Sequence, residues 1–152
     1  GELVRNLPNY KTPGTPGKGL IRSENRVMIM KEEQKLYRSG TGKLLYLVTH
    51  SRPDIANAVR ELSKVLDATT PTAFKEMKRI IKYVLDTKEL GLKVKPEIEN
   101  RDSMRRILGC SDSDYAGDKD TRKSAGGYVI CLCGVPICWR SRAQKTVTLS
   151  ST

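Results

Sequence analysis

The chain has 152 residues, 38% of them hydrophobic and 5% aromatic, which suits one ordinary domain or two small units with a modest aliphatic core. No run of about 18 apolar residues offers a membrane span, and the first residues form no signal region, so we expect an intracellular protein of cytoplasm or nucleus. The net charge of +11 favours polyanionic partners, nucleic acid first; the alternative is a soluble protein with solvated basic faces.

Residues 1–31 are predicted to form an irregular basic arm. Three prolines interleave with three glycines, which disfavours both helix and strand pairing: Pro8, Pro13, Pro16, Gly14, Gly17 and Gly19. The stretch 14–19 contains glycines and a lysine but lacks the spacing of a phosphate-binding loop, and no strand precedes it. We therefore expect a flexible connector.

Residues 32–95 are predicted to form three helices. In the first, one face at helical spacing is made by Tyr37, Gly40, Thr41, Leu44, Leu45 and Val48. The second is predicted to open at Pro53 and Asp54, which favour a first helical turn, and the third at Thr70 or Thr72. Because the connecting loops are short, the helices are expected to pack as a small antiparallel bundle.

The third predicted helix carries a stripe of four cations, which we call the basic stripe: Lys75, Lys78, Arg79 and Lys82. Their spacing of i, i+3, i+4 and i+7 places them on one side of a helix, where like charges repel by a few tenths of a kcal/mol per pair. An anion lying along the stripe would offset that repulsion. The basic stripe is therefore a candidate track for a phosphate backbone, and a solvated helix surface is the alternative.

A polar connector over residues 96–106 separates the helices from a region of strand-like periodicity, residues 107–152. Three strands are predicted there, with Gly134 as a hairpin turn: Ile107–Ser111, Gly127–Cys133 and Val135–Arg140. Three antiparallel strands alone leave one sheet face uncovered, so a helix or a protein partner is expected to cover it. The predicted fold class is therefore α+β, a three-helix bundle followed by a three-stranded antiparallel sheet.

Two aspartates follow the first predicted strand and form a candidate metal site. Asp112 and Asp114 lie two residues apart, so they share one face in strand geometry. Carboxylate oxygens are the ligands that Mg²⁺ prefers. The alternative is that these aspartates only form turns, as aspartate often does.

The cysteines and the single histidine do not predict a site. Cys131 and Cys133 alternate along a strand instead of following the paired spacing of zinc ligands, and reduced thiols are expected. His50 lies at the end of the first predicted helix, where a cation suits the helix terminus, and is interpreted as structural.

Together these motifs resemble the Pol polyprotein of copia-type retrotransposons. The resemblance is carried by YRSGTGKLLYLVTHSRPDIANAV (37–59), AFKEMKRIIKYVLDTKELGL (73–92), GCSDSDYAGDKDTRKSAGGYVICLCGVPICWRSRAQKTVTLSST (109–152) and, weakly, TPGTPGKG (12–19). It covers nearly the whole chain and implies the region after the reverse-transcriptase palm. That region would be a thumb-like helical unit, a connector and an incomplete RNase H-like sheet.

The resemblance also implies roles for individual residues. Asp112 would be the first catalytic carboxylate of the RNase H-like domain, Asp114 its neighbour, and Arg122 and Lys123 nucleic-acid contacts in the turn before the second strand. The basic stripe would lie where a thumb follows the template–primer backbone. The family's catalytic Glu and polymerase aspartates have no counterpart in this sequence, and two-metal cleavage needs several carboxylates. We therefore expect that this chain alone binds Mg²⁺ weakly at most and neither polymerises nor cleaves.

Three hypotheses remain open at this point. The chain is a fragment or remnant of a retroelement polymerase that retains binding to the backbone of an RNA–DNA hybrid or duplex. Alternatively, it is a ribonuclease that becomes active only when another chain completes it. A third reading is a co-opted structural or linker protein that docks on an acidic protein assembly through its basic arm and open sheet.

Overall fold

The computed structural model describes residues 2–15, 20, 29–96, 106–114 and 123–144. The chain divides into two compact units, a helical unit over Gly1–Leu90 and a sheet unit over Gly91–Thr152. Helices occupy the first and an antiparallel sheet the second, which confirms the predicted α+β class. Over the described ranges, every helix is too short or too polar to cross a membrane.

Three α-helices build the helical unit: α1 over Lys31–His50, α2 over Ala56–Ser63 and α3 over Pro71–Asp86. A short 3-10 turn, Pro53–Ile55, leads into α2, and another forms near the start of the chain at Glu2–Val4. The predicted openings of the second and third helices are thus confirmed at Pro53 and at the Thr70–Pro71 boundary.

Local sequence explains where α1 and α3 begin. Glu32 and Glu33 lie in the first turn of α1, where negative charge complements the helix dipole. Thr70 caps α3 because its hydroxyl oxygen accepts a hydrogen bond from the Ala73 N–H at 3.2 Å. Pro71 is the first residue of α3, a position at which the missing N–H costs nothing.

The three helices enclose one apolar core in the helical unit. It is formed by Tyr37, Leu44, Ile55, Val59, Leu62, Val65, Ala73, Phe74, Met77, Ile80 and Tyr83. Tyr37 is fully buried, and its hydroxyl donates to the Leu62 carbonyl at 2.8 Å, so its polar atom is satisfied inside the core. Burial raises the pKa of the Tyr37 hydroxyl far above its ordinary value, so it remains a donor at every working pH.

A glycine permits α1 and α3 to approach closely. A Cβ atom added at Gly40 would lie 2.6 Å from the Sδ atom of Met77, which is itself fully buried. The prediction placed Gly40 on the packing face of its helix, and the structure confirms that position. Gly42, by contrast, has no atom within 4 Å of an added Cβ.

Arg52 ties the connection between α1 and α2 to the end of α3. Its guanidinium is 5% exposed and donates to both carboxylate oxygens of Asp54, at 2.9 and 2.8 Å. It also donates to the carbonyl and hydroxyl oxygens of Thr87, at 3.1 and 2.8 Å. The Tyr83 hydroxyl adds a bond to Asp54 at 3.2 Å. The buried charge is therefore paired with a carboxylate and makes four hydrogen bonds, as a stable buried cation requires.

The described part of the N-terminal arm packs against the helical unit. Val4 is buried, and Tyr10, Leu20 and Ile29 lie against the core. The Ile29 N–H also donates to the Thr69 carbonyl at 3.5 Å. Sequence analysis predicted a flexible arm because prolines and glycines prevent regular structure. They do not prevent irregular chain from packing, and the described residues therefore differ from that expectation.

The sheet unit contains three antiparallel strands in the order β1-β2-β3: β1 over Ile107–Asp114, β2 over Ala125–Leu132 and β3 over Val135–Ala143. The predicted hairpin at Gly134 is confirmed. Cys133 and Gly134 form its two-residue turn with φ angles of 50° and 79°, and two positive φ angles match the twist of a tight hairpin. A register shift at Ile130 and Cys131 marks a β-bulge.

The sheet leaves several large apolar side chains exposed, as predicted for three strands alone. These side chains are Ile107, Leu108, Tyr128, Leu132 and Ile137. β1 also runs to Asp114 instead of ending at Ser111, so Asp112 and Asp114 lie within the strand and not after it. The prediction of a shorter strand was wrong because serine and aspartate have low strand propensity, which pairing with β2 overrides here.

Candidate nucleic-acid interface

The basic stripe lies along α3 on the side away from the core. The core side of this helix is formed by Ala73, Phe74, Met77, Ile80 and Tyr83. Lys75 is exposed, whereas Lys78, Arg79 and Lys82 are half-buried. The amphipathic pattern of α3 therefore places all four cations on the side away from the core, and Lys75 is the most exposed of them.

Arg79 is held by residues 9–15, which we call the N-terminal segment. Its guanidinium donates to the hydroxyls of Thr15 and Thr12, at 3.0 and 3.2 Å, and to the Gly14 carbonyl at 3.3 Å. The same group lies over the Tyr10 ring, 4.6 Å from its centroid. The N-terminal segment thus covers the middle of the basic stripe.

The other cations of the stripe have fewer partners. Lys82 donates to Asn9 at 3.0 Å and pairs with Asp86 at 2.5 Å, so its charge is neutralised. Lys78 lies over the Phe74 ring, 5.0 Å from its centroid. Neither Lys75 nor Lys78 makes an ion pair with another described residue. These two lysines are the open end of the stripe.

The contacts that hold Arg79 do not neutralise it. Hydroxyl and carbonyl oxygens and an aromatic ring carry no net charge, so these hydrogen bonds are ionised on the guanidinium side only. A phosphate oxygen would add the attraction between opposite charges to the same donors. Replacement of the Thr12 or Thr15 oxygen by a phosphate oxygen would therefore strengthen each bond that Arg79 makes.

The two aspartates predicted as a metal site lie on β1 of the sheet unit. Asp112 is exposed on β1 opposite Gly127, and Asp114 ends the strand opposite Ala125. Over the described ranges, no three His, Cys, Asp or Glu side chains converge as metal ligands.

The two remaining predicted contacts lie before β2. Lys123 is half-buried in the chain that leads into the strand, and Arg122 falls outside the described residues. The four cysteines are free thiols, with Cys110 and Cys138 exposed, in agreement with the expectation of reduced cysteines. His50 is the last residue of α1, as predicted.

Sequence reasoning missed an aromatic pair on the outer side of α1. The Tyr46 ring is 63% exposed and stacks on the His50 ring with centroids 4.0 Å apart and an interplanar angle of 26°. His50 Nδ1 donates to the Tyr46 carbonyl at 2.8 Å, which fixes the imidazole. The signal was present in the sequence. Tyr46 and His50 are four residues apart, and Tyr46 lies two residues after the core residue Leu44, on the opposite side of the helix.

No protein-family model and no solved structure matches this chain. Curated proteins do match it. The retrovirus-related Pol polyprotein from transposon RE1 of Arabidopsis thaliana is 38% identical over 116 residues, or 76% of this chain. The corresponding polyprotein from transposon TNT 1-94 of Nicotiana tabacum is 33% identical over an alignment of 153 positions that covers 97% of this chain. This chain belongs to the copia-type retrotransposon Pol family.

The copia-type match covers a small part of each polyprotein. This chain spans 8% of the RE1 polyprotein and 11% of the TNT 1-94 polyprotein. Another relative, named Secreted RxLR effector protein 161 in Plasmopara viticola, is 39% identical over 116 residues. That match covers 76% of this chain and 78% of the relative. This relative is therefore matched over most of its own length, whereas each polyprotein is matched over a small part.

Proposed function

We propose that this copia-type Pol segment binds the backbone of nucleic acid, an RNA–DNA hybrid or duplex, through a thumb-like helical unit. A partial RNase H-like sheet without a full catalytic set follows that unit. The observation that supports the proposal is the basic stripe on α3. Among the described residues, its two lysines at positions 75 and 78 make no ion pair, and its arginine is held by uncharged groups. The net charge of +11 supports it at the level of the chain.

Binding to a nucleic-acid backbone is recognised by the way its affinity depends on salt concentration. Each phosphate that a cation neutralises releases condensed counterions, so affinity falls with salt at a log–log slope of about −0.9 per phosphate on a duplex. Lys75 and Lys78 are available at once, and Arg79 becomes available when a phosphate replaces the hydroxyls of the N-terminal segment. The binding is sequence-independent, because phosphate contacts position a protein without reading bases.

The test measures fluorescence anisotropy of a labelled RNA–DNA hybrid of about 20 base pairs across a salt titration. The double variant Lys75→Gln with Lys78→Gln is expected to bind more weakly and to reduce the slope by about 1.8. A matched control, Lys31→Gln with Lys88→Gln, removes the same charge from exposed positions elsewhere in the helical unit. Equal losses in both variants would exclude the stripe, and failure of the unsubstituted chain to bind in dilute buffer would overturn the proposal.

A second candidate function, docking on a protein, is favoured by the exposed apolar side chains of the sheet unit. Ile107 and Leu108 on β1 are 69% and 54% exposed, and Ile137 on β3, at the other edge of the sheet, is 55% exposed. A co-opted linker would bury them on an acidic partner. Size-exclusion chromatography in high salt distinguishes the two functions, because bound nucleic acid would dissociate and an apolar protein complex would persist.

A further inference from the structure

The outer side of α1 combines exposed aromatic rings with unopposed positive charge. Tyr46 points directly away from the core, and its stacked partner His50 lies one turn further along. Lys35 and Lys43 are exposed on the same side, and neither forms an ion pair with another described residue. From Lys35 to His50 this surface, which we call the α1 platform, extends about 22 Å along the helix.

Two further features leave the α1 platform open to a flat, anionic ligand. No aspartate or glutamate occurs between Gln34 and Pro53, so the acidic residues of the helix, Glu32 and Glu33, lie only in its first turn, beside Lys35 and four turns from Tyr46. Gly42 lies one turn before Tyr46, and a Cβ atom there would have nothing within 4 Å. At Gly42, therefore, no side chain blocks the approach of a ligand to the Tyr46 ring.

We propose that the α1 platform is a site for single-stranded nucleic acid, in which an unpaired base stacks on Tyr46, a flanking phosphate lies near Lys43, and a phosphate further along the strand lies near Lys35, about 16 Å away along the helix. The inference rests on the proposed function for its ligand class and assigns a second surface and a second form of that ligand. Exposed aromatic rings beside cations bind single strands because every unpaired base offers a π face. In a duplex those faces are already stacked on one another, so the platform distinguishes unpaired from paired nucleic acid.

The geometry of the aromatic pair suits this role. The hydrogen bond from His50 Nδ1 to the Tyr46 carbonyl fixes the imidazole, and the imidazole in turn supports one side of the tyrosine ring. A ring held in place loses little conformational entropy when a base stacks on it. His50 is therefore a positioning residue, and Tyr46 makes the contact.

The test compares two single strands of about 20 nucleotides with the same number of phosphates, oligothymidine and an abasic strand. The chain is expected to bind oligothymidine about fivefold more tightly than the abasic strand. Tyr46→Ala is expected to abolish that preference without changing the salt slope, because no charge is lost. Tyr46→Phe keeps an aromatic ring and Leu45→Ala removes a neighbouring exposed aliphatic side chain, so both should retain the preference.

The outcomes separate this inference from the proposed function. Equal affinity for both strands, or a preference that survives Tyr46→Ala, overturns the α1 platform, and binding of the hybrid through the basic stripe would then stand alone. A base preference that depends on Tyr46, found without hybrid binding by the stripe, upholds the platform and overturns the proposed function. If neither strand nor hybrid binds in dilute buffer, both are overturned.

Discussion

At the scale of single residues, Arg52 is the most constrained side chain of the helical unit. Burial alone would raise the pKa of the Asp54 carboxyl, but hydrogen bonds and positive charge from Arg52, with the Tyr83 hydroxyl, hold that pKa below its ordinary value. The positive charge of Arg52 thus stabilises the charged form of the Asp54 carboxylate, and the carboxylate in turn neutralises the buried guanidinium. The pair joins the α1–α2 connection to the end of α3 through Thr87.

Asp54→Asn is expected to lower the free energy of unfolding by about 2 kcal/mol at neutral pH, because a buried guanidinium loses its anionic partner. Urea denaturation followed by circular dichroism measures the change. Glu89→Gln is the matched control, since it removes the same charge from a side chain that is 90% exposed and should change stability little. A loss no larger than that of the control would contradict a structural role for the pair.

The same pair makes a pH-dependent contribution with a definite sign. Because the folded pKa of Asp54 is depressed, its contribution is present above the unfolded pKa of about 3.9 and is lost as pH falls through the lower folded value. The stability difference between the unsubstituted chain and Asp54→Asn should therefore shrink in that acidic window. A difference that stays constant from pH 7 into this window would argue against the depressed pKa.

At the scale of elements, α1 has two faces with different tasks. Tyr37, Thr41 and Leu44 are buried, while Tyr46 and His50 lie on the exposed side. The surroundings of two glycines in α1 show the difference between these faces. Gly40 faces Met77 of α3 and Gly42 faces open space, although both lie in the same helix.

Gly42→Ala is expected to stabilise the chain by about 1 kcal/mol, because alanine favours a helix and meets no neighbour there. Gly40→Ala gains the same helix propensity but must displace the buried Met77 side chain, which costs about 1–3 kcal/mol. Thermal unfolding of the two variants measures the difference directly. Equal stabilisation by both substitutions would show that α1 and α3 do not approach as closely as described.

At the scale of the whole molecule, the chain carries a net charge of +11. A positive chain attracts phosphate and repels divalent cations, and the described residues offer no cluster of acidic ligands that would reverse this. We propose that Mg²⁺ binds this chain only weakly and that Asp112 alone supports no cleavage. In a hybrid complex, Mg²⁺ would then compete with lysine and arginine for phosphates.

Addition of millimolar Mg²⁺ is therefore expected to weaken hybrid binding in the anisotropy assay and to leave the RNA strand intact on a denaturing gel. The alternative that another chain completes a ribonuclease is tested in the same gel by adding a polypeptide that supplies the helix with the family's catalytic Glu. Mg²⁺-dependent hydrolysis by this chain alone, abolished in Asp112→Asn, would contradict the expectation.

The sequence predicted the parts of the fold that depend on periodicity and turn chemistry. Apolar residues recurring at helical spacing located the three helices, and Gly134 located the hairpin. The packing of Tyr10 on Arg79 was not predictable, because irregular chain leaves no periodic signal and its contacts join residues far apart in sequence.

The candidate site was predictable to a similar degree. The spacing of the cations from Lys75 to Lys82 predicted the basic stripe. It did not predict that threonines of the N-terminal segment would contact Arg79 in the stripe. Asp54 was interpreted only as part of a first helical turn, although its separation from Arg52 by one proline could have indicated an ion pair. Tyr46 was overlooked because an exposed aromatic ring has meaning only once the buried face of α1 is known.

The contact between Gly40 and Met77 also bears on how this segment diverges among retroelements. A side chain added at Gly40 would occupy the space that the Met77 side chain now fills. Substitutions at these two positions therefore depend on each other, because a larger residue at one requires a smaller residue at the other. Copies in which a larger residue at position 40 occurs together with a smaller residue at position 77 would therefore be ones that kept the helical unit folded. Copies with a larger residue at position 40 alone would be ones no longer under selection for this fold.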